Sequence, residues 1–333
     1  MRALPGVLLA CAAGCASAGE FARGADVSWV SEMGAAGRQF YNHAGQQRDL
    51  FALLREQGLN AVRLRIWVNP TDGYNGIADT IAKAHRAQQA GLRIMLDFHY
   101  SDSWADPQQQ NKPAAWSGYS VPQLAHALAQ HTRASLRALR DAGITPEWVQ
   151  VGNETRDGML WPDGRASTHM RNYARFIDSG YAAVKSVFPA APVIVHVDNC
   201  HDNARFRWHF DGLRRYRARF DMIGASAYPT TAPGMDWRQA VSACQANLED
   251  MRTRYGKPVV LAEIGAPWDH PQAPAIVAGL VAVARSAASG VFYWEPQAYN
   301  WKDYPMGAFD LDGKPTAGMD ALRTEDETWT STH

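Results

Sequence analysis

The chain has 333 residues, 46% of them apolar, and a formal net charge of +0. That is enough apolar chain for one large core, and the charge balance excludes the basic footprint of a nucleic-acid binder and a polybasic membrane patch. Twelve Trp and twelve Tyr fit a carbohydrate cleft, because aromatic faces stack on the apolar faces of sugar rings; half of the Trp are assigned to ordinary core.

The N-terminus reads Met1-Arg2, an apolar stretch to Ala13, then Ala16-Ser17-Ala18. A positive start, a short apolar run and an A-x-A site predict a secretory leader over residues 1–18, cleaved after Ala18. Lipoprotein processing at Cys15 is the rival reading. Either route puts the protein outside the cytoplasm, secreted or periplasmic. No other run is long enough to span a bilayer. Cys200 and Cys244 remain after the leader. An oxidising compartment permits a disulfide between them, and free buried thiols are the alternative. No Cys/His cluster has zinc spacing.

From there apolar, β-rich runs alternate with helical patterns. Strands are predicted at residues 25–29, 60–67, 93–100, 148–154, 193–199, 222–228, 259–264 and 291–295. Helical stretches fall at 46–57, 77–90, 121–142, 169–188, 238–255 and 273–288. Gly58, Gly91 and Gly143 stand where helices should end in a left-handed residue. Eight such units with no internal linker predict a single α/β domain over 19–333, a (β/α)8 TIM barrel, with a frayed tail after Arg323.

In that fold the strand C-termini carry the chemistry. Strand two carries Arg63 and Arg65, and strand three ends Asp97-Phe98-His99-Tyr100-Ser101-Asp102. Strand four ends Asn153-Glu154 and strand five His196-Val197-Asp198-Asn199. Strand six ends in Tyr228, strand seven in Glu263 and strand eight in Trp294-Glu295. Two glutamates ending two buried strands fit a retaining glycosidase, with Glu154 as acid/base and Glu263 as nucleophile. Glu154 must hold its proton, which burial or the Glu263 charge would secure. Arg63 or Arg65 would keep Glu263 ionised. The bland alternative pairs each glutamate with a basic neighbour at the rim. Asn153 is placed to bond a sugar 2-hydroxyl, Tyr228 to hold the nucleophile and Trp294 to floor the reacting sugar. Glu295 reads as structural.

The stretches Val62-Arg63-Leu64-Arg65-Ile66-Trp67-Val68-Asn69-Pro70, Leu96-Asp97-Phe98-His99-Tyr100-Ser101-Asp102-Ser103-Trp104-Ala105-Asp106-Pro107 and Val151-Gly152-Asn153-Glu154, with Gly158-Met159-Leu160-Trp161-Pro162, resemble the arabinogalactan endo-β-1,4-galactanases of glycoside hydrolase family 53. The resemblance spans nearly the whole chain after the leader. It implies hydrolysis of the β-1,4-galactan side chains of pectin, with retention and without a cofactor. It implies a reacting subsite lined by Arg63, His99, Asn153, Tyr228 and Trp294; Asp102, Trp104, Trp161 and Asp198 are further candidate substrate contacts, and no protein-held metal is expected. A polysaccharide is the expected partner, and the chain is expected to be a monomer.

The chain also departs from the family pattern. Ile264-Gly265-Ala266-Pro267-Trp268 follows the predicted nucleophile, Ala227 precedes Tyr228, and Pro229-Thr230-Thr231 follows it. These positions neighbour the point of cleavage, so linkage preference and product length are open. The segment from Gln297 to Pro315 is short, which argues against the calcium-associated loop of some bacterial members. Rival readings are another retaining glycanase of the same clan, acting on mannan, xylan or glucan, and a non-catalytic sugar-binding barrel.

Overall fold

A computed structural model describes residues 20–323. The expected leader, Cys15 and the tail after Arg323 lie outside the described residues. Eight strands, all parallel, close into a barrel: β1 Ala22–Asp26, β2 Ala61–Ile66, β3 Arg93–Phe98, β4 Trp148–Val151, β5 Val193–Val197, β6 Met222–Ala227, β7 Val259–Ile264 and β8 Gly290–Trp294. Each pairs with its neighbours in sequence, and β8 closes on β1. This is a (β/α)8 barrel. Two short antiparallel strands, Phe40–Tyr41 and Gln47–Arg48, form a hairpin outside it.

The outer layer comprises α1 Val30–Ala35, α2 Leu50–Glu56, α3 Ile77–Gln89, α4 Val121–Asp141, α5 Ala166–Val187, α6 Asn203–Arg215, α7 Trp237–Tyr255 and α8 Ala273–Ala287, with a terminal α9 Ala317–Asp320. Local chemistry sets their ends. Asp49 caps α2 through the Phe51 and Ala52 amides, and Asp236 with Gln239 forms a capping box on α7. Gly58, Gly91 and Gly143 all take positive φ after α2, α3 and α4, as expected. Several predicted bounds shift: the fourth strand stops at Val151, three residues short of Glu154, and α5 begins at Ala166 rather than 169. β1 starts three residues earlier, because Trp29 already caps α1. The helix predicted from 46 starts only at Leu50, because Gln47–Arg48 pairs in the hairpin.

Side chains alternate between two cores. Ala22, Ala61, Met95, Trp148, Ile194, Met222, Val260 and Phe292, one from each strand, fill the barrel interior. The opposite parity, with residues such as Val62, Leu64, Ile94, Leu96, Val149 and Val195, packs outward against the helices. Counting by twos from the interior plug therefore identifies the inward residues nearer the strand C-termini: Asp26, Arg63, Arg65, Asp97, Gln150, His196, Ser226 and Trp294.

The β7 strand breaks this count. Its register shifts against both β6 and β8 around Ala262. Plain alternation from Val260 would send Glu263 outward with Leu261. The bulge instead brings Glu263 into the cleft and turns Ile264 into the outer core. Cys200, just after β5, is disulfide-bonded to Cys244 of α7, with Cα atoms 4.8 Å apart. This closes the question that the sequence left open. No helix among the described residues is long and apolar enough to cross a membrane.

Candidate active site

A cleft of about 390 Å³ opens at the C-terminal end of the barrel, lined by His99, Trp104, Asp106, Gln109, Asn153, Glu154, Tyr228, Glu263 and Trp294. A larger groove of about 930 Å³ runs along α4 and includes neither glutamate.

Arg63 organises the floor. Wholly buried, it lies 2.8 Å from Asp26, 2.9 Å from Asp97 and 2.9 Å from Glu263 Oε1. It also donates to Asn153 Oδ1 at 2.9 Å and to Gln150 Oε1. Burial alone would lower its pKa, but the carboxylates of Asp97, Glu263 and Asp26 raise it instead, so it stays charged. Its planar fork engages all these acceptors at once, which a lysine could not do. Burial would likewise raise Asp97, but Arg63 and His99 hold it low, at about 2.

Tyr228 donates from its hydroxyl to Glu263 Oε2 at 3.0 Å. The Tyr228 ring lies over Gly265, where a Cβ would approach ring carbons to 2.7 Å. The absence of a side chain at 265 leaves room for the tyrosine.

Glu154 lies three residues beyond β4 with φ +45°, an uncommon conformation for a residue with a side chain. Thr155 fixes it there, since its amide and hydroxyl both donate to the His196 carbonyl. One oxygen of Glu154, one of Glu263 and a ring nitrogen of His196 lie within 4.8 Å of one another.

The two glutamates differ electrostatically. Burial raises Glu154 well above the ordinary carboxyl range, and the nearby Glu263 and Asp198 add to this. Burial also raises Glu263, to about 7, but Arg63 in contact opposes it. The first proton to leave the pair therefore leaves Glu263. With one proton between them, the ionised group is the one beside Arg63 and the protonated group is Glu154. Such a site can protonate a leaving group from one side while a carboxylate attacks from the other.

The remaining predicted residues separate into two groups. His99 lines the cleft, bonded to Asp97 at 2.8 Å through Nε2 and accepting the Ala105 amide at Nδ1. Trp104 lines it with Arg65 stacked on its ring at 4.1 Å, and Trp294 packs edge-on to Trp29 and Tyr304. Asn153 lines it too, its amide nitrogen donating to the Ala105 carbonyl.

Asp102, Trp161 and Asp198 are not among the lining residues. Asp102 accepts the Asn69 and Ala114 amides and so ties two loops together. Trp161 donates to the Asp157 carbonyl, with Arg165 over its ring at 3.9 Å. Asp198 pairs with Arg156 at 3.2 Å. Burial lifts Asp198 to about 6 against the pull of Arg156, and its Oδ1 has no hydrogen-bond partner among the described residues. Of the two arginines considered for Glu263, Arg63 makes the contact. Arg65 lies between Trp67 and Trp104, 3.9 Å from Glu295. Glu295 is buried on the Trp29 amide and Gln297.

Asp26, Gln150, Ser226, Asp106 and Gln109 also belong to the site; Asp106 lies within the quoted stretch ending at Pro107 but is not among the expected substrate contacts, and the other four stand in none of the quoted stretches. The parity of β1, β4 and β6 would have found the first three. Asp106 and Gln109 lie in a loop, where no periodicity points inward.

The chain belongs to glycosyl hydrolase family 53, whose model matches residues 22–276. It is 35% identical to a protein of Niallia circulans described as uncharacterized, in the bgaB 5′ region, over 92% of this chain and 95% of that one. It is 34% identical to a probable arabinogalactan endo-β-1,4-galactanase A of Aspergillus terreus, over 82% of this chain and 85% of that one. One of two fungal β-1,4-galactanases of solved structure superposes with a TM-score of 0.83 at 31% identity, covering 90% of this chain and 98% of the other.

Proposed function

We propose that this protein is a retaining endo-β-1,4-galactanase that cleaves the galactan side chains of pectic type I arabinogalactan. The observation that carries the chemistry is the Glu154–Glu263 pair. Its nearest oxygens lie within 4.8 Å, close to the spacing of about 5–5.5 Å in retaining glycosidases and far from the roughly 6.5–9.5 Å of inverting ones. The relatives named as galactanases support the substrate.

In the first step a Glu263 oxygen bonds to the anomeric carbon. The C–O bond to the leaving sugar breaks, and the Glu154 proton passes to the departing oxygen. In the second, Glu154 takes a proton from water, the water oxygen bonds to the same carbon, and Glu263 leaves as carboxylate. Asn153, held by Arg63, orients toward the 2-hydroxyl, while Trp104 and Trp294 form aromatic walls for the sugar. No cofactor enters these steps. We read residues 1–18 as an export leader, which places the enzyme where plant polysaccharide is met.

The test is reducing-sugar release from unbranched β-1,4-galactan by wild type, Glu154→Gln and Glu263→Gln. Wild-type release lost in both variants supports the reading. An intact galactan beside cleaved mannan, xylan or glucan would move the substrate to another glycan. Activity retained in either variant would mean that the carboxylates are misassigned.

A further inference from the structure

The described contacts contain a closed chain of hydrogen bonds that the two-carboxylate scheme does not use. His196, wholly buried on β5, faces Ser226 Oγ at 2.8 Å through Nε2. Ser226, on β6, lies 2.7 Å from Glu154 Oε1. On its other side, His196 Nδ1 receives the Glu154 amide at 3.4 Å; the Gln150 side-chain nitrogen lies 3.1 Å away but directs its two hydrogens to Asp97 Oδ1 at 2.6 Å and the Gly152 carbonyl at 3.0 Å. The direction of each bond follows from the donors. Arg63 donates to the oxygens of Gln150 and Asn153, so each amide's nitrogen lies on the other side. A backbone N–H can only donate, so Nδ1 is an acceptor and the ring proton sits on Nε2. Nε2–H then donates to Ser226 Oγ, and the serine hydroxyl has one direction left, toward Glu154 Oε1. Asn153 Oδ1, 3.0 Å from Nδ1, already accepts from Arg63; it is the acceptor that an Nδ1–H tautomer would use, and histidine NMR distinguishes the two forms.

We propose that Ser226 and His196 are positioning residues for the acid/base, and that their one-way donor chain reserves Oε1 as an acceptor and places the transferable proton on Oε2 of Glu154. Oε2 receives no hydrogen bond among the described residues. This rests on the assignment of Glu154 as acid/base. The same serine donor persists when Glu154 is ionised, so it serves the base step as well. Burial keeps His196 far below its usual pKa, with Arg63 adding to this, so the ring stays neutral and the direction of the chain is fixed. The groups that face Glu154 are Glu263 on β7, Asp198 and His196 on β5 and its loop, Arg63 on β2 and Tyr228 after β6. Among the described residues, only the serine hydrogen-bonds to Oε1.

The first experiment needs no substrate. Nitrogen-15 NMR of the histidine rings in the full-length protein should show His196 as the neutral Nε2–H form across pH 5–8. An Nδ1–H form would overturn the proposal. The second compares Ser226→Ala and Ser226→Thr with wild type, each checked for an unchanged melting profile. Losing the donor raises Glu154, so the alkaline limb of kcat/KM in Ser226→Ala should move to higher pH. Its turnover of unactivated galactan should fall about tenfold or more, while an aryl β-galactobioside with an acidic leaving group is spared at the first step. Ser226→Thr keeps the hydroxyl and should recover the profile. An alkaline limb unmoved in Ser226→Ala, or an equal loss on both substrates, would overturn the proposal. If wild type cleaves neither galactoside, the substrate reading fails, and the NMR result still decides the donor chain.

Discussion

Arg63 Nη1 lies 2.9 Å from Glu263 Oε1, inside a barrel floor where the same guanidinium also meets Asp26 and Asp97. One cation thus compensates three buried carboxylates, and among the described residues Glu154 has no cation in contact. That asymmetry divides the roles of two chemically identical side chains.

Removing the cation should therefore harm both stability and chemistry. Arg63→Met leaves three buried acids unpaired, a defect of about 3–5 kcal/mol. Arg63→Lys keeps the charge without the fork, and should fold while losing at least about 100-fold in kcat/KM. Because Arg63 opposes the burial-raised pKa of Glu263, weakening that contact should move the acid limb of the pH–rate profile upward. Urea melts and pH–rate profiles of the two variants check this.

The two faces of the cleft make a stereochemical prediction. With Glu154→Ala and an activated galactoside, added azide enters from the side vacated by the acid/base and should yield the β-azide. With Glu263→Ala it enters from the nucleophile's side and should yield the α-azide. Proton NMR of the products distinguishes the anomers, and the reverse assignment would exchange the two glutamates.

Stability should depend on pH through the raised carboxyls. Glu263 and Asp198, at about 7 and about 6 when folded, lie above their unfolded values near 4. Their protonated forms favour the folded state. That contribution is complete below the unfolded values and is lost as pH rises through the folded ones. The melting temperature should thus decline between about pH 4 and pH 7, and Glu263→Gln should flatten the decline. Asp97, held at about 2, acts in the opposite sense, only in strong acid. Calorimetric scans across this range give the answer.

Gly265 and Tyr228 form a further pair to test. A methyl at 265 would lie 2.7 Å from the Tyr228 ring, so Gly265→Ala should displace the hydroxyl that donates to Glu263. Activity should fall about tenfold or more with little change in melting temperature, and Tyr228→Phe should reproduce much of that loss. A Gly265→Ala enzyme with full activity would show that the ring has room to move.

The disulfide ties the loop after β5, which carries Asp198, to α7. With the cysteines 44 positions apart in sequence, Cys244→Ser should cost about 2–4 kcal/mol, measurable by denaturant melts with and without reductant.

The sequence by itself determined the alternation of eight strands and their helices, because buried parallel strands must be apolar and helix ends need caps and glycines. It also determined which carboxylates stand at strand ends, since a charge that closes an apolar run is costly to bury and needs a partner or a reaction to keep it there. It could not determine which of them face one another. Strand periodicity places Arg63, Asp97, Gln150, His196 and Ser226 inward, but the same rule sends Glu263 outward. Only the bulge in β7, a matter of register against two neighbouring strands, brings Glu263 into the cleft. The choice of Arg63 over Arg65, the retreat of Asp102 into a loop tie and the direction of the bonds through His196 are likewise tertiary. Each depends on where donors from distant strands converge, and residue order along one strand carries no record of that.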